Sequence, residues 1–396
     1  MPSPLNFTIH HKSKENAART GTVTTPHGSF RTPAFMPVGT RGTVKGLTPQ
    51  QVRATGSDIL LNNAFHLMLR PTDLRIAKFG GVHKFMNWNR PILTDSGGYQ
   101  AWSMADINTI DEDGVTFKSF IDGATVRMTP ESSIEVQNNL GADIIMAFDD
   151  CPSSVEPQSQ SLARRRNALT SRDGVLTESE HELRLLQSLD RTARWLERCN
   201  NAHQRKDVQA LFGIVQGGLN LDFRARSVEQ VCNVDLPGYA IGGVAVGESP
   251  EKIVEVVKFT AKLLPEEKPR YLMGVGYERD LVSAVASGMD MFDCVLPTRN
   301  ARNAHAFTRN GPLNLRNACF SDDCGVIEQG CTCASCVGGT SRAYLRHLFK
   351  SKEMLAGTLL SIHNIHHFQS LMIDIRLAIE DNSWSALPER WPVLLQ

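Results

Sequence analysis

Two aspartates stand where a short apolar run ends and a polar or glycine-rich segment begins. Asp95 precedes a Ser-Gly-Gly tract, and Asp293 precedes a segment that contains Arg299 and Arg302. Two carboxylates that face one sugar can cleave a glycosidic bond, because one attacks or stabilises the oxocarbenium-like carbon while the other handles the proton of the leaving group. Either aspartate alone could instead cap a helix or form a turn. As a pair, they predict glycosidic-bond chemistry.

Further polar groups in the sequence could bind a flat heterocyclic base. Asp149 directly ends another apolar run, whereas the adjacent Asp150 fits a polar strand end. Gln216 offers an amide donor and an amide acceptor side by side, and Gly242 and Gly243 leave backbone amides accessible. Together these groups suit the hydrogen-bonding edge of a purine.

Three cysteines, Cys331, Cys333 and Cys336, lie within six residues, and His363 follows further along the chain. Structural zinc takes four nitrogen or sulfur ligands in a tetrahedron, often as clustered thiolates with one distant ligand. The cluster therefore predicts one structural Zn²⁺ per chain, since three thiolates and an imidazole leave no position open for substrate. On spacing alone, the residues that compete with His363 as the fourth ligand are Cys319, Cys324, His347, His366 and His367.

Eight short apolar runs alternate with helix-like stretches over most of the chain. Two helix starts are well marked, because Thr129 and Ser249 each precede a proline at the first helical position, where its missing N–H costs nothing. Alternating strands and helices predict a parallel sheet, and eight repeats predict an α/β fold of the (β/α)8 TIM-barrel type. The predicted strands are residues 34–37, 59–62, 91–94, 144–148, 211–215, 239–241, 270–273 and 289–292.

Polar residues or glycines follow most of these apolar runs directly. Barrel enzymes place their chemistry at the carboxyl ends of the strands, where the loops converge. One such residue could be a helix cap, but the recurrence predicts a functional barrel mouth. Its predicted residues are Asn63, Asp95, Asp149, Gln216, Gly242, Gly243, Gly274 and Asp293.

Two segments interrupt the alternation of strands and helices. Residues 152–182 are polar and carry three consecutive arginines, which predicts an enlarged loop after the fourth strand. In the helix that follows, a stripe that includes Leu183, Leu189 and Leu196 predicts core packing. The cysteine-rich region predicts a zinc-binding subdomain at residues 300–365, inserted near the C-terminus of a single barrel domain of residues 1–396.

The overall composition limits the class of protein. The 42 basic and 42 acidic residues cancel, so RNA could bind only through a local basic patch, such as the excess of arginine and lysine between Arg299 and Lys352. The alternative interpretation of that patch is a solvent-exposed face that does not bind RNA. No apolar run reaches the ~20 residues of a membrane span, and no secretory signal pattern is visible. Nine unevenly spaced cysteines fit thiols and metal ligands, so we expect a cytoplasmic protein.

At this point the sequence resembles the tRNA-guanine transglycosylase family, bacterial type. The resemblance covers nearly the whole chain and includes the cysteine cluster, SRAYL at 341–345 and the His-Asn pair at 363–364. The longest matching strings are LTDSGGYQ at 93–100, FGIVQG at 212–217, YAIGGVAVGE at 239–248, YLMGVG at 271–276 and MDMFDCVLPTR at 289–299.

The resemblance implies a (β/α)8 barrel with a zinc subdomain that docks the anticodon loop of tRNA, commonly as a homodimer. It implies that Asp293 is the nucleophile on the ribose C1′ and that Asp95 is the general acid/base, held by Asn63 and Gln100. The other residues it implies are Asp149, Gln216 and Gly243 for the base edge, Tyr99 and Met273 for the ring faces, the Val244 carbonyl for an aminomethyl group, Arg299 and Arg302 for tRNA, and Cys331, Cys333, Cys336 and His363 for zinc.

The implied reaction exchanges guanine at the wobble position of tRNAs with GUN anticodons for a 7-deazaguanine base, 7-aminomethyl-7-deazaguanine, through a covalent aspartyl intermediate. Cys151 and Val246 match the bacterial pattern and favour this base over queuine, which stays an alternative. A non-catalytic tRNA-binding accessory subunit would be expected to lose one of the two aspartates, and an archaeal-type enzyme would carry further RNA-binding domains. The chain departs from the family pattern at Ala64, Val244 and Gly218.

Overall fold

A computed structural model of the protein describes residues 3–98, 108–152, 154, 177–245 and 248–396. Its centre is one sheet of eight parallel strands, each of them short and rich in buried apolar residues. The eight strands are β4 (Ala34–Pro37), β5 (Leu60–Asn63), β6 (Ile92–Asp95), β10 (Ile144–Met146), β11 (Ala210–Val215), β12 (Gly238–Ile241), β13 (Arg270–Leu272) and β14 (Met291–Cys294).

The sheet curls into a barrel. Its spatial order is β4-β14-β13-β12-β11-β10-β6-β5, and the two end strands meet through a parallel bridge between Val38 and Leu61. The Gly39 N–H also donates to the Leu61 carbonyl at 2.6 Å. The predicted (β/α)8 fold is therefore confirmed, and the predicted strands agree with the observed ones to within two residues at each end. The largest shift is in the last strand, which begins at Met291 instead of Met289.

Helices surround the barrel and continue into the C-terminal region. They are α1 (Pro49–Ala54), α2 (Ala64–Leu69), α3 (Asp73–Lys78), α4 (Val82–Met86), α5 (Pro130–Leu140), α6 (Glu178–Ala202), α7 (Leu221–Cys232), α8 (Pro250–Leu263), α9 (Glu278–Ala286), α10 (Leu296–Arg302), α11 (Ala334–Val337), α12 (Arg342–Lys350), α13 (Met354–Glu380) and α14 (Leu387–Arg390), with short 3₁₀ turns at Ala318–Phe320, Trp384–Ala386 and Pro392–Leu395. None of the helices in the described residues is long and apolar enough to cross a membrane.

Local sequence signals account for the helix ends that lie near the barrel mouth and base. The Thr129 hydroxyl accepts from the Ser132 N–H at the start of α5, and Gly141 ends that helix in the left-handed conformation with φ 74°. The leucine stripe predicted for α6 is confirmed at Leu189 and Leu196, which are buried, whereas Leu183 is 53% exposed. The helix packs against α5 and α7.

Three small sheets complete the described structure. The first, β1 (Asn6–Lys12), β2 (Arg19–Thr25) and β3 (Gly28–Thr32), is antiparallel and precedes the barrel. The second, β7 (Asn108–Ile110), β8 (Val115–Lys118) and β9 (Thr125–Met128), lies between β6 and α5 in the chain. A two-stranded ribbon of β15 (His305–Ala306) and β16 (Leu313–Asn314) opens the C-terminal region.

The N-terminal sheet closes the amino end of the barrel. Its buried Val23 and Phe30 belong to the same apolar cluster as Met36, Phe212 and Met291, which fill the barrel interior. This interior packing fills the amino end of the barrel, which leaves the carboxyl ends of the strands as the side where barrel enzymes bind their ligands.

A buried ion pair joins the N-terminal sheet to the last barrel strands. The Arg19 guanidinium donates to Asp290 through Nε at 2.9 Å and through a second nitrogen at 2.6 Å, and both side chains are almost fully buried. Asp290 also accepts from the Arg270 N–H at 2.8 Å. Removing one partner of such a pair leaves an uncompensated buried charge.

We therefore expect Asp290→Ala to lower the free energy of unfolding by about 3–5 kcal/mol, because Arg19 would stay buried without its anion. Chemical denaturation followed by far-UV circular dichroism would measure the change. Glu255→Ala is the matched control, since the Glu255–Lys252 pair is half-exposed and should contribute about 0.5 kcal/mol or less. Equal losses in the two variants would show that the buried pair does not anchor the sheet.

Candidate active site

A cavity of about 400 Å³ opens at the carboxyl ends of the barrel strands. Its walls come from residues that end or directly follow the strands, as the sequence predicts for a functional barrel mouth. Among the residues that line it are Val38, Asn63, Asp95, Asp149, Gly242, Gly243, Gly274 and Asp293. The fold thus brings together residues that are separated by up to 255 positions in the chain.

Asp95 is held by the first turn of α2. The Asn63 side-chain amide donates to one carboxylate oxygen, and the Ala64 N–H donates to the other at 2.9 Å. Burial raises the pKa of Asp95 to about 7, the two hydrogen bonds oppose that rise, and the negative charges of Asp293 and Asp149 add to it. A carboxyl group with this pKa can both give and take a proton near neutral pH. The backbone N–H at position 64 binds Asp95 whatever the side chain, so Ala64 does not prevent this contact.

Asp293 is held on one oxygen only. The Tyr271 hydroxyl donates to its Oδ1 at 2.6 Å, and the Gly274 N–H donates to the same atom at 2.8 Å. Among the described residues, no hydrogen bond reaches Oδ2. Burial raises the pKa of Asp293, while its two hydrogen bonds lower it. The Tyr271 pKa is raised well above its ordinary value by burial and by the charge of Asp293, so its hydroxyl stays a donor.

Asp149 and Gln216 form one polar wall of the cavity. Gln216 Nε2 donates to Asp149 Oδ2 at 2.8 Å, and the Ser96 hydroxyl donates to Oδ1 at 3.2 Å. The pKa of Asp149 is raised to about 7, mainly by burial and in part by the neighbouring charge of Asp150. Asp150 itself does not line the cavity, because Arg184 and Arg191 pair with it from α6.

The loop after β12 contributes backbone groups to the same wall. Gly243 has φ 63°, and a side chain there would come within 2.4 Å of the Gln216 amide oxygen, so only glycine fits. Val244 and Met273 also line the cavity.

Arg224 is a residue of the site that the sequence analysis did not identify. It is fully buried on α7 and donates to the carbonyls of Gly242 at 2.7 Å and Gly243 at 3.1 Å. It also donates to the carbonyls of Val215 at the end of β11 and of Gly218 in the loop that follows. Its role is to orient the loop that carries the backbone amide of Gly243. The sequence feature that could have identified Arg224 is its position on the apolar side of α7, one turn before Ser227 and Val228.

The remaining site residues predicted from the sequence do not all lie at the cavity. Arg299 lines the cavity, whereas Arg302 is exposed outside it and donates to the Thr298 carbonyl within α10. Tyr99, Gln100 and Val246 lie outside the described residues, as does most of the segment at 152–182.

Cys331, Cys333, Cys336 and His363 meet in one cluster away from the cavity. The three sulfurs lie 3.6, 3.6 and 3.5 Å from His363 Nδ1, and all four atoms lie within 4.8 Å of one another. The alternative fourth ligands are placed elsewhere: Cys319 and Cys324 are exposed, His366 contacts Thr332, and His367 contacts Glu278. His347 is not part of the cluster either.

The cluster has the dimensions of a tetrahedral metal site. An ion 2.3 Å from each sulfur and 2.0–2.1 Å from a nitrogen, at tetrahedral angles, requires sulfur–nitrogen separations of about 3.5 Å. His363 Nε2 lies 2.8 Å from the Phe307 carbonyl and so carries the proton, which leaves Nδ1 free to bind an ion. These four residues can therefore hold a metal ion.

The raised pKa values make a prediction about stability. Asp149 keeps its proton to about pH 7 in the folded protein, whereas an unfolded aspartate loses it near pH 4. Unfolding releases this proton between those values, so the folded state loses stability as pH rises through the window. Asp149→Asn removes this effect. As the pH rises from about 5 to about 7, the melting temperature of the variant should therefore increase relative to that of the unmodified protein.

Thermal unfolding at several pH values measures this difference. Gln204→Ala is the control, because it removes an exposed uncharged side chain and should give a difference that does not change with pH. A constant difference for Asp149→Asn as well would contradict the raised pKa.

Comparison with known proteins agrees with this geometry. The sequence profile of the TGT family, described as queuine tRNA-ribosyltransferase, matches residues 13–173 and 169–392. A queuine tRNA-ribosyltransferase of Ruegeria sp. (strain TM1040) is 47% identical over 380 residues, 96% of this chain and 94% of that protein. One of Nostoc sp. (strain PCC 7120) is 48% identical over 379 residues, with the same shares of each chain covered. The chain therefore belongs to the queuine tRNA-ribosyltransferase family, a family of pentosyltransferases.

Proposed function

We propose that the protein exchanges guanine at the wobble position of tRNAs with GUN anticodons for 7-aminomethyl-7-deazaguanine, in queuosine biosynthesis. The observation that carries the proposal is one cavity in which a carboxylate with a free oxygen, Asp293, accompanies a carboxyl group with a pKa near neutrality, Asp95. Membership of a ribosyltransferase family supports the same chemistry. Because both aspartates are present, we favour an active enzyme over a non-catalytic accessory subunit.

In the first half of the reaction, Asp293 Oδ2 attacks C1′ of the target ribose. The bond between C1′ and the guanine nitrogen breaks, its electron pair leaves with the base, and Asp95 supplies the proton that guanine takes up. The ribose is then an ester of Asp293. The target nucleoside must leave the anticodon stack to enter the cavity, which costs a few kcal/mol.

In the second half, the incoming base gives its ring proton to Asp95 and attacks C1′ from the side that guanine left. The bond between C1′ and Asp293 breaks, and the carboxylate is regenerated. Two displacements at one carbon retain its configuration. The ester stores the energy of the original bond, so the exchange needs no nucleotide triphosphate.

Asp149, Gln216 and the Gly243 amide are the groups that we propose for the edge of the base, with Met273 on one ring face. Tyr99, which we propose for the other face, lies outside the described residues. The Val244 carbonyl is the acceptor that we propose for the aminomethyl group. Queuine is the alternative incoming base. Cys151 lines the cavity and favours the smaller base, whereas Val246 lies outside the described residues.

We further propose that the metal is one structural Zn²⁺ per chain, since three thiolates and a neutral imidazole are its preferred donor set. Zinc would fix residues 300–365 against the barrel, and that segment together with Arg299 and Arg302 would dock the anticodon loop.

Because tRNA is the substrate, we place the reaction in the cytoplasm. We also propose a homodimer, which is supported by exposed apolar side chains on α11 to α13, namely Val337, Tyr344, Met354 and Leu355.

An exchange assay on tRNA carrying labelled guanine, run with each free base, tests the function. Release of label should be faster with 7-aminomethyl-7-deazaguanine than with queuine, and the reverse order would identify queuine as the substrate. Asp293→Asn should lower exchange at least ~1000-fold and abolish the covalent enzyme–tRNA band on a denaturing gel, because a neutral amide is too weak a nucleophile to attack C1′. Asp207→Asn, an exposed acid outside the cavity, is the control. A persistent band in Asp293→Asn would assign the nucleophile to another residue.

The metal proposal predicts that Cys333→Ala loses most of the bound zinc and lowers the affinity for tRNA, because metal binding is coupled to the folding of its site. Inductively coupled plasma mass spectrometry of protein purified without chelator measures the zinc content. Cys319→Ala removes an exposed cysteine from the same segment and should keep about one zinc per chain. Metal-free unmodified protein that still binds tRNA normally would overturn the proposal.

A further inference from the structure

The side chain of Asn364 makes a set of buried hydrogen bonds that the chemistry described above does not use. Asn364 is on α13, next to His363, and it is fully buried. Its amide nitrogen donates to the carbonyl of Pro297 at 3.0 Å and to that of His305 at 2.9 Å, and its amide oxygen accepts from the Phe307 N–H at 3.0 Å. Both ends of the amide therefore bind backbone groups of a distant segment of chain.

The segment that Asn364 binds contains α10. Pro297 lies in the first turn of this helix, and His305 follows its last residue, Arg302, by three positions. α10 also packs against α13. A helix of only seven residues is not stable alone, so its position depends on contacts with the rest of the protein. One side chain of α13 thus holds the start of α10 and the chain just beyond its end.

α10 carries Arg299, which is exposed and lines the cavity. The helix begins two residues after the end of β14, the strand that carries Asp293. Because the Arg299 side chain is exposed, the position of its guanidinium depends on where α10 places the backbone. A guanidinium pairs with phosphate oxygens only when its nitrogens are correctly placed. The hydrogen bonds of Asn364 therefore bear on a cation at the cavity that Asn364 does not contact.

The same hydrogen bonds connect α10 to the cysteine cluster. His363 Nε2 lies 2.8 Å from the Phe307 carbonyl, while His363 Nδ1 faces the three sulfurs. Phe307 is thus bound to His363 through its carbonyl and to Asn364 through its N–H. The cluster lies away from the cavity, so the adjacent side chains of His363 and Asn364 provide a physical connection from the cluster to α10.

We infer that Asn364 is a positioning residue for the exchange reaction: it fixes α10 on α13 and thereby sets where Arg299 meets a phosphate of the tRNA. The inference rests on the proposed function and supplies the route by which the distant cysteine cluster acts on tRNA binding. Asn364 is buried and does not line the cavity, so it acts only through α10. Supporting residues of this kind hold a binding group in its productive geometry.

Two-substrate kinetics test this role. In a ping-pong exchange, kcat/KM for tRNA reports the first half-reaction, and kcat/KM for the free base reports the second. Asn364→Ala should lower kcat/KM for tRNA about tenfold, because a small displacement of a contacting group is costly, and change kcat/KM for the free base less than about twofold. Mass spectrometry of the metal should still find about one zinc per chain, since the four metal-binding residues are intact.

Asn364→Asp is a second variant with nearly the same shape. It keeps an acceptor for the Phe307 N–H but loses both N–H donors to the carbonyls of Pro297 and His305. It should retain zinc and again lower only the constant for tRNA. An unchanged constant for tRNA in both variants would overturn the inference. Loss of zinc from both would also overturn it, because Asn364 would then act on the metal site and not on α10.

Gln369→Ala is the matched control, because it removes another buried amide from α13. Gln369 Nε2 donates to the Phe35 carbonyl of β4 at 2.9 Å and to the Ser57 hydroxyl at 3.1 Å, and neither partner belongs to α10. This variant should lose stability while both kinetic constants stay within about twofold of those of the unmodified protein. A fall of the tRNA constant equal to that of Asn364→Ala would show that any weakening of α13 suffices, which contradicts a specific role.

A double variant with Arg299 provides the deciding test. Arg299→Gln should lower the slope of log affinity against log salt by about 0.7, as for one lost phosphate contact on a single strand, and Asn364→Ala should lower it by a similar amount. The double variant should bind tRNA no more weakly than Arg299→Gln alone, because the cation through which Asn364 acts is already gone. Losses that multiply in the double variant would refute the inference. Absence of any exchange by the unmodified protein would instead refute the proposed function.

Discussion

Three carboxyl groups around one cavity, those of the buried Asp95 and Asp149 and of the partly buried Asp293, impose the strongest constraint on this barrel mouth, because an ionised carboxylate is expensive to bury. Each of Asp95, Asp149 and Asp293 accepts two hydrogen bonds from other residues within the described part of the chain, and all of these donors are neutral. Neutral donors orient the carboxyl groups without forcing them to stay ionised. Burial raises the pKa of Asp95 and of Asp149 to about 7 although these hydrogen bonds oppose the rise, and a pKa near 7 suits proton transfer at neutral pH.

The aspartates that stabilise the fold have charged partners, whereas those at the cavity have neutral ones. Asp150 is one residue from Asp149 but pairs with two arginines of α6, and Asp290 is three residues from Asp293 but pairs with Arg19. An arginine partner balances the charge of a buried carboxylate, so these two aspartates hold parts of the fold together. Aspartates only a few residues apart in the chain therefore differ in role: those with neutral hydrogen-bond donors face the cavity, and those with arginine partners stabilise the fold.

Much of this arrangement could be predicted from the sequence, because the signals are local. An apolar run followed by Asp95 or Asp293 contains both the strand and the group at its carboxyl end, and the three close cysteines need little besides their spacing. The parts that were missed depend on tertiary contacts. The buried guanidinium of Arg224 is satisfied by four carbonyls, two that follow or end β11 and two after β12. The exposure of Leu183, on a helix whose Leu189 and Leu196 are buried, likewise depends on what packs around α6. The Phe120 ring lies 5.4 Å from the His66 ring, a contact between segments 54 residues apart that no local pattern predicts.

The N-terminal sheet seals the end of the barrel farthest from the proposed RNA-binding mouth, and β1 lies at its outer edge with mostly exposed residues. A linker fused ahead of β1 would therefore emerge on the closed side. Protein immobilised on a sensor surface through such a linker would present the open mouth to solution. The same geometry allows a reporter domain to be attached there without narrowing the route by which a macromolecule as large as tRNA approaches.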